Sequence, residues 1–309
     1  MTLEAVVPIL LTIISAATPL LLAGIGELVT ERSGVLNLGV EGMMLAGAVT
    51  AFAVTFASGS YTLGILAAAL AGMAMAFVFG VLTLTLVSNQ VATGLALTLF
   101  GLGLSALLGA GFVGSPIAPL PKLAIPGLSS IPVLGPVLFH QDALVYLSVA
   151  LTVGVAWFLK RTRGGMILRA CGGSDVSAHS IGYDVIRIRY YAVLFGGLCA
   201  GLGGAFLSLA YTPMWVENMT AGRGWIALAL VVFASWRPLR LLAGAYLFGG
   251  VTILQLYVQG MGGIGVPAQV MSMLPYLATI IVLTVISAGS VRGRLDAPAC
   301  LGKPFRPAT

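Results

Sequence analysis

Charge is what this sequence has least of: 15 Lys and Arg and 9 Asp and Glu among 309 residues, 8% of the chain, against about 25% in an ordinary globular protein. So few charges cannot clothe a water-soluble surface of this size, and the hydrophobic share of 59% excludes a disordered chain. Cysteine is scarce too. Cys171, Cys199 and Cys300 lie far apart, odd in number and without CxxC or Cys/His ligand spacing, so neither a disulfide framework nor a metal site is indicated. Gly302-Lys303 runs into Pro304 and lacks the upstream glycine of a phosphate-binding loop, so no nucleotide cofactor is expected in this chain. The two histidines, His140 and His179, have no companion nucleophile, and nothing assembles a catalytic constellation. The 41 glycines follow no three-residue period, which excludes collagen.

What is there is apolar length, with a mean hydropathy of +1.07. Uncharged or nearly uncharged runs occur at 5–26, 35–57, 61–88, 91–113, 143–159, 190–211, 225–236, 239–259 and 272–289. A spanning helix needs about 20 apolar residues. The expected fold is therefore one all-α, polytopic transmembrane helix bundle over 1–309, with about nine spans. Eight to ten remain compatible, because 225–236 is short enough for a re-entrant half-helix and Glu27, Glu31, Arg32 and Glu41 interrupt the pattern as a broken helix does. Nine alternating crossings place Arg32, the six cations of loop 160–189, and Arg237, Arg240, Arg292, Arg294, Lys303 and Arg306 on one side. By the positive-inside rule that side is the cytoplasm, leaving Lys122 and Arg223 outside with the N-terminus. The net charge of +6 is then a topology signal, not a nucleic-acid surface. Glu4 stands where a secretory signal carries basic residues, so the first run is expected to be retained.

The polar intrusions are the candidate working residues. On a helix Asn37 and Glu41 share a face with Gly34 and Gly42 nearby; a carboxylate at that depth either makes a structural hydrogen bond or borders a substrate pathway. Ser88-Asn89-Gln90, before Thr93 and Gly94, reads as an interfacial turn, with Asn89 and Gln90 as alternative pathway residues. Two small-residue faces, Gly196/Ala200/Gly204/Ser208 and Gly101/Ser105/Gly109, suit close helix packing within the chain or against another subunit. Segment 114–141 has too many prolines to span and too much apolar surface for a free linker; it is expected as a structured extracytoplasmic loop. In the cytoplasmic loop 160–189, Ser174 and Asp175 can cap a short helix that Gly182 ends. That helix suggests a docking surface, whereas the arginines alone fit a loop facing anionic lipid.

ERSGVLNLGVEGMMLAGA at 31–48 closely resembles the signature of permease subunits in ABC importers for nucleosides and related simple sugars, in the branched-chain amino acid/ribose-type permease superfamily. NQVATGLALTLFG at 89–101, IPGLSSIPVLGPVLF at 125–139, GSDVSAHSIGYDVIRIRYYAVLFGGLCAGLGGAFLSL at 173–209 and AGRGWIALALVVFASWRPLRLLAGAYLFGG at 221–250 follow in the family's order. The resemblance implies a multi-pass subunit of the bacterial plasma membrane, forming half of a translocation pathway. Its implied partners are a second homologous permease, a cytoplasmic ABC ATPase that binds ATP and Mg, and an extracytoplasmic substrate-binding protein. It also implies that 174–185 is the coupling helix seated in the ATPase, with Asp175, Ala178, His179 and Gly182 at the contact. His179-Ser180, Cys171-Gly172 and Ala234 depart from the usual residues, which touches the docking detail and not the class. The alternatives are an ion-coupled secondary transporter using Glu41 and a membrane-embedded enzyme; the second has a lone intramembrane carboxylate and no acid/base companion. Purine nucleosides are the first expectation for cargo, with ribose-like sugars open.

Overall fold

A computed structural model describes residues 3–124, 126, 129, 134–260, 270, 273, 277, 280, 284 and 297–306. Among these, seven helices are long and apolar enough to cross a membrane. The first, α1 (Leu3–Arg32), does not break where acids enter the sequence. Glu27 and Glu31 are both buried, and each finds a donor: Asn37 N at 3.1 Å from Glu27 Oε1, and Trp236 Nε1 at 2.5 Å from Glu31 Oε2. The helix continues through both positions, although Glu27 Oε2 is buried without a hydrogen-bond partner. The break falls instead at 33–39, a non-helical linker that Gly34 opens in the left-handed region at φ 95°.

After the linker come α2 (Val40–Ser58), α3 (Tyr61–Gly80, continued by a π turn to Thr85) and α4 (Gln90–Gly109). The loop 114–141 carries β1 (Lys122–Ala124), α5 (Leu134–Phe139) and the start of β2 (His140–Asp142), with β1 and β2 antiparallel. Asp142 then caps α6 (Ala143–Arg161) through the Leu144 and Val145 amides. Two short helices, α7 (Arg163–Gly173) and α8 (Asp175–Ser180), lead into α9 (Val185–Phe206, with a π turn to Tyr211). Then follow α10 (Arg223–Phe233) and α11 (Pro238–Gly260). Segment 113–124 meets the end of α9, with Leu120 N on Leu209 O and Ile117 N on Pro213 O. Lys122 therefore lies at the opposite end of α9 from the loop 160–189.

The centre of the bundle is α9, enclosed by α1, α2 and α3. Glycine sets these distances: a Cβ on Gly47 would stand 2.5 Å from Gly201 Cα, and one on Gly26 2.9 Å from Gly196 O. Such contact gains dispersion and Cα–H···O attraction that larger residues would forbid. Both small-residue faces pack within the chain. Gly204 lies on the Met44 carbonyl, Ser208 Oγ donates to Ala48 O at 2.9 Å, Gly101 sits against Gly42 and Gly109 against Trp215.

Segment 225–236 is a crossing of unusual build. The chain leaves the far end of α9 at Thr212, runs without helix to Gly222, and only then coils into the 11 residues of α10. Trp236 emerges beside Glu31 and Arg32 at the opposite end. The expected crossing at 272–289 lies outside the described residues except at 273, 277, 280 and 284.

Candidate functional site

A half-helix in the bundle interior leaves its first amides without helical partners and its positive dipole end in a low dielectric. Glu41, in the first turn of α2, meets that need. Its Oε1 accepts from Gly222 N at 2.8 Å and Thr220 Oγ1 at 2.5 Å, and its Oε2 accepts from Gly224 N at 2.6 Å. The approach is close enough that a Cβ on Gly224 would stand 2.7 Å from Glu41 Cα. The other end of α10 is held as firmly: Trp236 Nε1 donates to Glu31, and Arg32 Nε and Nη2 donate to Trp236 O at 3.1 and 2.9 Å. Left-handed residues flank the helix on both sides, Asn218, Ala221 and Gly222 above, Ser235 and Trp236 below. Backbone of this kind concentrates at moving or ligand-contacting sites. Together these features make α10 a short strut between two left-handed turns, clamped by α1 and α2.

Arg223, expected on the outside, opens α10 and is half-buried. Its guanidinium lies 5.0 Å over the Tyr211 ring and donates from Nη1 to Met219 O at 3.1 Å and Thr220 O at 3.3 Å. It lines a cavity of about 190 Å³ with Thr252, Gln255 and Phe248.

Of the expected pathway residues, the structure gathers Asn37, Glu41 and Gln90 around the 33–39 linker. Asn37 is fully buried, its Oδ1 accepting from Gly39 N at 2.9 Å, and Gln90 Oε1 accepts from Leu36 N at 2.8 Å. Asn89 stands apart as the exposed cap of α4, accepting from Ala92 N at 3.0 Å. Sequence reasoning named Glu27 and Glu31 only as interruptions, and it missed Thr220, Gly222, Gly224 and Trp236 as their and Glu41's partners. A spacing of four between Glu27 and Glu31 is a face signal, but donors some 180 to 205 positions away leave no local trace.

At the end of the bundle that carries the 160–189 loop, Ser174 caps α8 and Gly182 ends the turn at φ 94°. Asp175 and Ala178 face inward: Ala178 is 2% exposed and packs with Cys171 and Val185, with Phe305 against them. His179 and Gly182 are exposed, as are Val176 (67%) and Ile181 (71%). Burial pushes the Cys171 thiol above its usual range, with Arg189 opposing, and the side chain packs in the cluster beneath α8. Asp175 Oδ2 pairs with buried Arg189 Nη2 at 3.1 Å, and Arg189 Nε donates to Ser33 O at 3.1 Å. Contacts therefore run without a gap from α8 through Arg189 into the 33–39 linker, and from the linker through Glu41 to the top of α10. Among the described residues no group of three or more His, Cys, Asp or Glu could hold a metal ion.

Residues 9–283 match the family described as branched-chain amino acid transport system / permease component. The chain is 44% identical over 310 residues to a putative glucose ABC transporter permease protein of Haloferax volcanii, covering 93% of this chain and 94% of that one. It is 32% identical over 312 residues to a guanosine ABC transporter permease protein of Bacillus subtilis, with 94% and 93% covered. A nucleoside ABC transporter permease protein of Lactococcus lactis is 32% identical over 293 residues, with 91% and 92% covered.

Proposed function

The chain belongs to the branched-chain amino acid transport system permease family and is an ABC transporter permease subunit, and from that premise we propose that it forms half of an import pathway in which α10 is the moving gate. The cargo class is nucleosides or related simple sugars, which the likeness to guanosine, nucleoside and putative glucose permeases supports. Membership favours this reading over ion-coupled transport through Glu41, whose carboxylate already has three donors. The chain does no chemistry itself. ATP and Mg belong to a cytoplasmic ABC ATPase, capture belongs to an extracytoplasmic binding protein, and a second homologous permease supplies the other half of the path, in the plasma membrane.

The observation that carries the mechanism is the clamped half-helix and its contact route to α8. ATPase closure moves the exposed face of α8, Val176 and Ile181; the buried Asp175–Arg189 pair transmits that displacement to the Ser33 carbonyl and the linker. The linker leads directly into Glu41 in the first turn of α2, so its shift pulls on the first turn of α10, while the hinge residues let α10 tilt without unfolding α9. Packed interfaces of this sort switch between discrete arrangements. Asn37 and Gln90 hold the linker's shape, and Arg223 with Gln255 and Thr252 presents polar groups to cargo entering from outside.

The test is uptake of labelled guanosine and glucose by proteoliposomes containing the whole complex, with and without ATP. ATP-dependent uptake of either that is lost in Ile181→Asp, together with ATPase binding, is the expected result. Uptake that follows an ion gradient without ATP, or an Ile181→Asp complex that still binds its ATPase and transports normally, would sink the proposal.

A further inference from the structure

Residues 300–305 form neither helix nor strand, yet they touch every part of the route from α8 to the 33–39 linker. A segment without its own hydrogen-bond ladder takes its place from what it docks on. Cys300 N donates to Gly172 O in the last turn of α7 at 2.9 Å, and Gly302 N donates to Gly34 O in the linker at 3.1 Å. Gly302 makes the turn between them in the left-handed region, at φ 73°. Leu301 packs on the core of the bundle. Phe305 then reaches beneath α8, against Cys171, Ala178 and Val185, with the His179 ring edge-to-face at 5.5 Å. The Arg189 guanidinium lies over the Phe305 ring, Cζ 5.8 Å from its centroid. That guanidinium is buried, and while Nε and Nη2 reach Ser33 O and Asp175, Nη1 has no hydrogen-bond partner among the described residues. A desolvated cation without a full set of acceptors is drawn to an aromatic face.

We propose that residues 300–305 are a strap that makes α8 and the linker move together, with Phe305 as the positioning residue for Arg189. The proposal rests on the reading of α8 as the surface that the ATPase moves. By itself the path from Asp175 through Arg189 to Ser33 O is two hydrogen bonds in series on one long side chain, which can rotate as readily as it transmits. The strap removes that slack at two points. Its backbone ties the end of α7 to the linker through Gly172 and Gly34, and its aromatic ring closes the space into which the Arg189 guanidinium would otherwise swing. The end of α7, α8 and the linker are then displaced as one body, and Glu41 follows. A tail that only stabilised the fold would have no need of a ring placed under the one side chain that links α8 to the linker.

The experiment measures ATP hydrolysed per molecule taken up by the whole complex in proteoliposomes, with labelled guanosine and labelled glucose as the probes, alongside complex abundance. Phe305→Ala and Phe305→Leu should keep the ATPase bound and raise that ratio by at least about fivefold, the scale of losing one desolvated cation–π contact. Leucine keeps apolar volume without a ring face, so it decides the matter if Phe305→Ala fails to assemble. Phe305→Tyr, which keeps the ring, should restore coupling. Gly302→Val forces a branched residue to φ 73° and lifts the strap from Gly34 by a separate route, so it should raise the ratio as well. A wild-type ratio in Phe305→Leu or in Gly302→Val overturns the strap, whatever happens to abundance, and so does a ratio in Phe305→Tyr as high as that in Phe305→Ala. Ile181→Asp in the same preparations tells the two readings apart. If it loses its ATPase while the Phe305 and Gly302 variants stay coupled, the strap alone falls; if it binds and transports normally, the role of α8 falls and the strap with it.

Discussion

Helices α9 and α10 cross the same bundle under opposite rules. Helix α9 is continuous for 22 residues and extended by a π turn, and it meets its neighbours backbone to backbone through Gly196, Gly201 and Gly204. Helix α10 has 11 residues, begins after a non-helical descent, and is flanked by left-handed backbone at Ala221, Gly222, Ser235 and Trp236. The first is held by shape, which tolerates no displacement. The second is held at its ends by a few directed hydrogen bonds, which can be exchanged. A transporter needs both a frame that keeps its shape and an element that does not. The difference between them is built from glycine contacts on one side and carboxylate contacts on the other.

The comparison breaks most severely if α9 is pushed off its neighbours. A Cβ on Gly201 would land on the Ala68 carbonyl, with backbone on the far side and no flexible side chain to yield. Overpacking commonly costs about 1–3 kcal/mol, and Gly201→Leu should exceed that, since a whole isobutyl group has no space. The expected outcome is at least a tenfold loss of folded complex in fluorescence-detected size exclusion. Gly103→Leu on α4, where nothing lies within 4 Å of an added Cβ, should leave the yield near wild type. Similar yields for the two would mean that close packing does not distinguish α9.

Next in size is Arg189→Ala, which cuts the link between α8 and the linker. Removing one partner of a buried ion pair costs roughly 3–5 kcal/mol because the other charge stays buried. Here Asp175 retains the Val176 amide at 2.9 Å and slight solvent access, so the lower end applies. The thermal midpoint should fall, and Arg189→Ala with Asp175→Asn should recover part of it. Coupling should not recover: ATP hydrolysis by the double variant should proceed without uptake. Restored uptake would remove Arg189 from the route to α10.

How much of this was legible beforehand follows the same division. The apolar runs forecast the crossings, because about 20 apolar residues have few other uses, and the cap at Ser174 and stop at Gly182 placed α8 within a residue or two. The glycine faces were readable as packing faces, but not as contacts inside the chain, since four-residue spacing carries no partner. Glu41 stood out as a buried acid. Its purpose did not, because Thr220, Gly222 and Gly224 lie about 180 positions away in a stretch that hydropathy reads as loop. Ala178 shows the limit at short range: a small residue in a docking helix reads equally as a contact or as packing, and it packs beneath the helix on Cys171.

Glu41→Gln sharpens the comparison at the other helix. The amide keeps one acceptor oxygen and turns an NH₂ toward either Gly224 N or the Gly222/Thr220 pair, so at least one donor is left facing a donor. An unsatisfied buried group costs about 1–3 kcal/mol, and the lost charge weakens the hold on the α10 dipole further. Complex abundance should stay within twofold of wild type while uptake falls about tenfold, because α9 and the frame are untouched. A parallel fall in both would show that the clamp is part of the frame and that α10 is no more mobile than α9.

The smallest expected effect comes from the hinge itself. Ala221 has φ 46°, a conformation that costs a residue with a Cβ on the order of 1–3 kcal/mol, and Ala221→Gly removes that cost. The same change loosens the unfolded chain, an opposing contribution of roughly 0.5–1 kcal/mol. The two nearly offset, so the thermal midpoint should move by no more than a few degrees, and upward if at all. Uptake is the more telling readout. If the left-handed turn only routes the chain from Thr220 into α10, glycine serves as well and transport stays at the wild-type rate. If strain at Ala221 helps drive α10 between two positions, relieving it favours the clamped position, and uptake drops while stability rises. Opposite movement of stability and transport after deletion of a single methyl would separate a hinge that stores energy from one that only permits motion. A glycine contact on α9 such as Gly201 should not produce that pattern, because a side chain added there lowers stability and transport together.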